Sequence, residues 1–282
     1  MRRLIRRLAN GVRRRAANPA LLATGTLESE LARRLERMPA RKAASLVERL
    51  VVNSPRLRRH VATVAEFTEP MDYERAQIRL HVSSDAIGNR LRAATKEPFT
   101  VDWLDSSFGP GEVLYDIGAN VGPYTLIAAK LGGRVVAFEP SPTSYADLCR
   151  NAALNDAEVI ALPFALWDET RLVDFAFRTL RPGDAQHRVV DGGGGTPIVA
   201  ARLDDLVREY DLPPATHVKL DVDGGEAAVI RGGPGTFGRC RTVIVEGDDP
   251  EVMDLLIGHG LHITERHERD SPGAPVYLTF AR

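Results

Sequence analysis

The sequence predicts an open α/β fold, a mostly parallel sheet with helices on both faces, closed by a C-terminal antiparallel hairpin and preceded by helical segments of different character. Three observations predict it. From residue 113 onward, short apolar strands alternate with helical stretches, the grammar of a parallel sheet. Four of those strands end in or at an acid: Asp116, Glu139, Asp221 and Glu246. A glycine-bearing loop, Asp116-Ile117-Gly118-Ala119-Asn120-Val121-Gly122, joins the first strand to the helix behind it.

A chain of 282 residues predicts one large domain with a smaller appendage. Its charge divides the same way: residues 1–60 carry 16 Lys and Arg against 4 Glu, and the rest carries 21 against 34 acids. The first 27 residues hold no acid and place Leu4, Leu8 and Val12 on one helical face. They read as a frayed, solvated helix or as a tail for a membrane surface or nucleic acid. Three short helical patterns follow, carried by Leu27, Leu31, Leu35 and Met38, by Leu46, Val47, Leu50 and Val51, and by Leu57, Val61 and Val64, with Pro39 and Pro55 between them. Residues 1–77 are expected to form a basic tail and helical subdomain, a surface for self-association, with the main domain at 78–282.

No run of about 18 apolar residues exists to span a bilayer, and the basic start lacks a secretory apolar run. Cys149 and Cys240 give neither a disulfide framework nor metal-ligand spacing, so a reducing cytoplasm is the expectation.

Along the main domain, Ile78-Arg79-Leu80-His81-Val82 alternates like a strand, and a helix follows Glu97-Pro98. Val113-Leu114-Tyr115-Asp116 is a strand, and residues 123–131 form a helix stopped by Gly132-Gly133. Strands at 135–139, 159–162, 218–221 and 243–246 and helices at 144–154, 224–230 and 251–257 continue the pattern. Two strand-like runs, 261–264 and 276–280, flank Asp270-Ser271-Pro272-Gly273 with no helix between them, so a hairpin is expected to put an antiparallel strand at the end of the sheet.

Ligands of such sheets bind beyond the carboxyl ends of the strands, where the four acids fall. Each acid alone has a bland reading as a helix cap or solvated loop residue. The loop lacks the Gly-x-Gly-x-x-Gly spacing with which a helix N-terminus meets a pyrophosphate, and a carboxylate at Asp116 would repel one. An acidic pocket suits S-adenosylmethionine, which brings an ammonium and a sulfonium. Glu139 follows Gly122 by 17 residues, close to the offset of about 20 at which an acid meets a ribose diol.

The stretches Lys96-Glu97-Pro98-Phe99, Tyr115 to Gly122, Ala137-Phe138-Glu139-Pro140, Ala165-Leu166-Trp167-Asp168, Arg202-Leu203-Asp204-Asp205-Leu206 and Lys219-Leu220-Asp221-Val222-Asp223-Gly224-Gly225-Glu226 resemble, in order, the motifs of the FkbM family of methyltransferases. The resemblance runs from about residue 78 to 250. It implies a class I, Rossmann-like methyltransferase fold and methylation of a hydroxyl on a sugar, glycolipid or polyketide-type small molecule. By the same resemblance Asp116, Gly118, Asn120 and Gly122 contact the methionine part of the cofactor, Glu139 the ribose, and Ala165 lies where adenine passes; Ala119 and Pro140 complete the expected cofactor set. One departure is Asp223-Gly224-Gly225 where the family has Glu-Gly-Ala, which shortens one carboxylate and weakens the helix start.

An alcohol needs a base as its bond to carbon forms, and Asp221 is the first candidate, against a purely structural or cofactor-positioning role. His187, in the polar, glycine-rich segment 181–195, is the second, on what would be a substrate lid or a loop without function. Asp223 and Glu226 have the spacing of a capping pair. Asp221, Asp223, Glu246, Asp248 and Asp249 offer oxygens to a hard cation, but no spacing demands one and no metal is expected. Competing readings are an RNA methyltransferase that uses the basic N-terminus and a scaffold that binds the cofactor without turnover. The acidic body, and the absence of aromatics among the terminal arginines, argue against nucleic acid as a partner.

Overall fold

Two short antiparallel strands, β1 (Thr68–Pro70) and β2 (Arg79–His81), open the computed structural model, which describes residues 68–184, 187–190, 194–268 and 275–282. All of these belong to the unit Thr68–Arg282. The basic tail, the helical segments expected before residue 68, Gly192, Gly193 and the turn Asp270-Ser271-Pro272-Gly273 lie outside the described residues.

Strand β2 does not join the main sheet. Its backbone is held by side chains instead: Asn155 accepts the Arg79 N–H at 2.9 Å and donates to the Arg79 carbonyl at 2.7 Å, and Asn151 accepts the His81 N–H at 2.8 Å. Three helices follow, α1 (Ile87–Arg90), α2 (Ala93–Lys96) and α3 (Pro98–Ser107). Proline begins α3, where a missing N–H and a fixed φ cost nothing.

The α/β units come next: β3 (Val113–Ile117), α4 (Pro123–Lys130), β4 (Arg134–Phe138), α5 (Pro142–Leu154) and β5 (Val159–Leu162). A second group of strands then interrupts the alternation: β6 (Ala165–Leu166), β7 (Arg171–Ala176), β8 (Arg188–Val190) and β9 (Thr196–Ala201). The chain returns through α6 (Leu203–Glu209), β10 (His217–Leu220), α7 (Glu226–Gly232), α8 (Pro234–Phe237), β11 (Thr242–Glu246) and α9 (Pro250–Gly258), and ends in β12 (His262–His267) and β13 (Tyr277–Ala281).

The central sheet has seven strands in the order β12-β13-β11-β10-β3-β4-β5. Only β13 runs against the others, and it lies one place in from the edge, paired with β11 on one side and β12 on the other. The physical reason is burial. Tyr277, Leu278, Thr279 and Phe280 of β13 are all buried, whereas β12 is exposed along nearly its whole length and can serve only as an edge.

Alternation at period two builds two cores. Val113, Tyr115 and Ile117 of β3, with Val218, Leu220, Val243, Val245, Leu278 and Phe280, face α6 to α9. Leu114, Val135 and Ile244 face the other way, onto α3 and α4. Among the described residues the expected helices of the main domain are present with shifted ends, whereas the four-stranded sheet β6-β9-β7-β8 is not among the expected elements. Among the described residues no helix is long and apolar enough to cross a membrane.

Phe280 is fully buried in the core that joins β13 to the parallel strands. Phe280→Ala is expected to lower folding stability by about 3–5 kcal/mol, read as a lower denaturant midpoint at an unchanged slope.

Candidate active site

Strand β3 lies between β4 and β10, so the loops leaving β3 and β10 diverge and open a crevice at the carboxyl edge. The crevice is a cavity of about 570 Å³, within the range of about 300–1,000 Å³ usual for small-molecule sites. Its floor is the carboxyl edge of the main sheet. The second sheet supplies Ala165, Leu166, Phe175 and Val189 to one wall, and α1 and α2 supply Arg90 and Lys96 to another. Of the residues singled out from the sequence, Gly118, Asn120, Glu139, Pro140, Ala165, His187 and Asp221 line the cavity. Asp116, Ala119 and Gly122 stand behind its lining.

The loop after β3 is closed on itself. Gly118 and Ala119 both donate to the Phe138 carbonyl, at 3.0 and 3.1 Å; Asn120 N–H donates to Glu139 Oε2 at 2.7 Å; Val121 N–H donates to Asn120 Oδ1 at 2.9 Å; and Gly122 N–H donates to the Ala119 carbonyl at 2.9 Å. Every backbone donor from 118 to 122 is thereby used within the protein. Gly118 has φ +84° and lies so close to the loop after β10 that a Cβ would fall 1.8 Å from the Asp221 carbonyl oxygen. Only glycine fits there. The Asn120 side chain, expected to meet the cofactor, lines the cavity and donates to the Asp184 carbonyl at 2.7 Å.

Asp116 is buried and its Oδ2 accepts the Thr125 hydroxyl at 2.5 Å, near the start of α4. Among the described residues its Oδ1 has no partner. Burial raises its pKa, opposed by Lys219 and Thr125. Glu139 accepts Ser141 N–H at 2.7 Å through its other oxygen; burial pushes its pKa up to about 7 in spite of the Ser141 and Asn120 N–H groups.

Lys219, absent from the expected site, is the counter-charge of the floor. It is buried, its Nζ bonds Asp221 Oδ2 at 2.8 Å and lies 5.2 Å from the centre of the Tyr124 ring. Burial favours its neutral form, but Asp221, Asp116 and Glu97 outweigh that and keep it charged. Burial likewise works against the Asp221 anion, yet Lys219 and a hydrogen bond from Glu246 hold that carboxyl below the usual range. Burial and the neighbouring Asp221 push Glu246 up to about 9, so at neutral pH Glu246 carries the proton of the pair. Tyr277 OH donates to Glu246 at 2.9 Å and Tyr124 OH to Glu97 at 2.6 Å. A lysine inside the apolar strand Val218-Lys219-Leu220 was a legible signal; the roles of Tyr277, Glu97 and Arg90 depend on strands and helices distant in sequence.

His187 is 9 % exposed, and its Nδ1 accepts Arg178 N–H at 3.2 Å. Because a backbone N–H can only donate, the neutral ring carries its hydrogen on Nε2. Burial lowers its pKa, opposed by Asp223 and Asp184. Asp223 and Glu226 have the spacing of a capping pair; α7 starts at Glu226 after Gly225, which makes no side-chain cap, and Glu226 Oε1 turns back to Val222 N–H and Gly224 N–H at 3.1 and 3.3 Å. Asp249 caps α9 through Glu251 N–H, and Asp248 pairs with Arg266 at 2.9 Å. Among the described residues no group of three or more His, Cys, Asp or Glu is placed to hold a metal ion.

The residues present fit a cationic, adenosine-bearing methyl donor. The loop offers no free amide to a phosphate, a buried carboxylate oxygen of Asp116 lacks a partner among the described residues, Gly118 leaves a cradle without a side chain, and Ile117, Phe138, Phe164 and Leu166 line the cavity together with Glu139.

Residues 116–269, more than half of the chain, match the methyltransferase FkbM domain. The chain is 30% identical over 179 residues to the hexuronic acid methyltransferase AglP of Haloferax volcanii, covering 62% of this chain and 74% of that one. It is 28% identical over 211 residues to the 31-O-demethyl-FK506 methyltransferase FkbM of Streptomyces tacrolimicus, covering 61% and 81%. Among solved structures it is similar to the magnesium protoporphyrin IX methyltransferase of Synechocystis, with a TM-score of 0.45 and 13% identity over 84% of this chain and 96% of that one. The α/β fold with its single reversed strand is that of class I methyltransferases, and the chain belongs to the FkbM family of S-adenosylmethionine-dependent methyltransferases.

Proposed function

We propose that this enzyme methylates a hydroxyl oxygen of a sugar, glycolipid or polyketide-type small molecule. The observation that carries the reading is Asp221, an ionised carboxylate lining the cavity and held in place by Lys219 and Glu246. Relatives named for a hexuronic acid and for 31-O-demethyl-FK506 support a small oxygen acceptor. In this reading the methyltransferase domain begins at residue 68, because Met71 and Tyr73 are buried in the core that includes Leu104 and Leu126. The unpaired thiols Cys149 and Cys240 agree with a cytoplasmic enzyme.

When bound, S-adenosylmethionine supplies a methyl group already activated by a sulfonium, so the protein's task is alignment and proton removal. Glu139 is assigned to the ribose hydroxyls, Asp116, from behind the lining, to the negative charge that favours the donor's ammonium, and Asn120 to the methionine part, with Gly118, Ala119 and Gly122 shaping the loop and Pro140 and Ala165 flanking the adenine. Asp221 accepts the hydrogen bond of the acceptor hydroxyl. A carboxylate held this low is a weak base at the outset, but an oxygen gaining a bond to carbon becomes strongly acidic, and Asp221 then takes its proton. His187 is a poor second base, because its free edge carries a hydrogen.

Asp221→Asn is expected to lower turnover by about 10² to 10⁴, with S-adenosylhomocysteine still bound. The measurement is transfer of labelled methyl into a metabolite extract, followed by mass spectrometry. Undiminished turnover in the variant would contradict the role of Asp221, and no labelled oxygen-methyl product would contradict the reading. Ribose hydroxyls favour the ionised form of Glu139, so affinity for S-adenosylhomocysteine is expected to fall as pH drops through about 7. Glu139→Gln should bind more weakly at high pH and lose that dependence, as read by calorimetry across the pH range.

A further inference from the structure

We propose that the acceptor also carries an oxyanion, a carboxylate or a phosphate, bound by Arg188 and by the Nε2–H of His187. The inference rests on the reading of this cavity as a methyl-transfer site and names the class of molecule that enters it. Among the described residues His187 Nε2 is a buried donor with no partner, on a side chain that lines the cavity. The ring cannot easily turn away: Nδ1 is tied to Arg178 N–H, and Phe177 packs edge-on with centroids 5.7 Å apart. Buried donors in folded proteins are paired, so this one calls for an acceptor atom that a ligand brings.

Arg188 follows directly, as the first residue of β8, and lines the same cavity. Among the described residues no carboxylate lies within ion-pair distance of it. Asp184 and Asp223 also face the imidazole, yet neither accepts its N–H, and Asp184 holds the Thr179 hydroxyl. A neutral hydroxyl would satisfy His187 alone. An oxyanion satisfies His187 and Arg188 together, through charge-assisted hydrogen bonds.

The donor's own carboxylate needs one cation, and Arg90 stands nearer to that task. It lies on α1, its Nε donates to the Gly183 carbonyl at 3.1 Å, and its charge acts on Glu139 and Asp221 of the floor as well as on His187. Arg188 sits on the second sheet instead. The cavity thus sets an acidic floor for a cationic donor against a basic element for an anionic acceptor.

The test uses the full chain, labelled with ¹⁵N-histidine and saturated with S-adenosylhomocysteine, titrated separately with D-glucuronate, D-glucose 6-phosphate and D-glucose. The His187 Nε2–H resonance is expected to shift with at least one of the two anions and not with glucose, and the anion that acts identifies carboxylate or phosphate as the group. In Arg188→Gln the anion should bind about tenfold more weakly, while S-adenosylhomocysteine binds within about twofold of the parent. Equal shifts with glucose, no shift with either anion, or a parallel loss of S-adenosylhomocysteine binding in the variant would overturn the proposal. Failure of the parent protein to bind S-adenosylhomocysteine would instead overturn the methyl-transfer reading, and this inference with it.

Discussion

The site depends on where the backbone hydrogens of residues 118–122 point. In a nucleotide-phosphate loop those N–H groups converge on the ligand, and the helix behind adds its positive end. Here they end on the Phe138 carbonyl, Glu139, the Asn120 side chain and the Ala119 carbonyl. With its donors used and a carboxylate at its rim, the loop turns an electronegative surface to the cavity, and a cation is the ligand it favours. Gly118 makes this possible, since any side chain there would drive the loops after β3 and β10 apart.

The floor solves a second problem, keeping several acids together out of water. Asp116, Asp221, Glu246 and Glu97 would repel one another if all were ionised and unpaired. Lys219 answers part of this charge, Glu246 keeps its proton and accepts the Tyr277 hydroxyl, Tyr124 donates to Glu97, and Thr125 donates to Asp116. A single buried lysine thus lets Asp221 stay anionic at the cavity surface while its neighbours absorb the cost of burial. The second sheet lines one wall of the cavity, with Arg188 at the start of β8 among the lining residues.

Much of this was legible in the residue order. Apolar runs ending in Asp116, Glu139, Asp221 and Glu246 marked the carboxyl edge, and proline and glycine marked the ends of α4. The second sheet was not legible, because its strands are half exposed and irregular in pattern: Leu172 and Val199, cross-strand partners, are 66% and 49% exposed where alternation would bury an apolar side chain. Asp116 and Asn120 carried the right residue types, but sequence spacing does not reveal that Asp116 stands behind the lining against Thr125 or that Asn120, on the lining, is tied to Asp184. The tautomer of His187 depends on one backbone N–H, and Tyr277 meets Glu246 only because β13 inserts beside β11.

If the carboxyl edge is electronegative because its loop amides are spent, the cavity must discriminate by charge. Calorimetric titration of the full chain with S-adenosylhomocysteine and, separately, with a nicotinamide dinucleotide measures that discrimination directly. Saturable heat with the first and none with the second is the predicted result; uptake of the dinucleotide with no response to S-adenosylhomocysteine would contradict it.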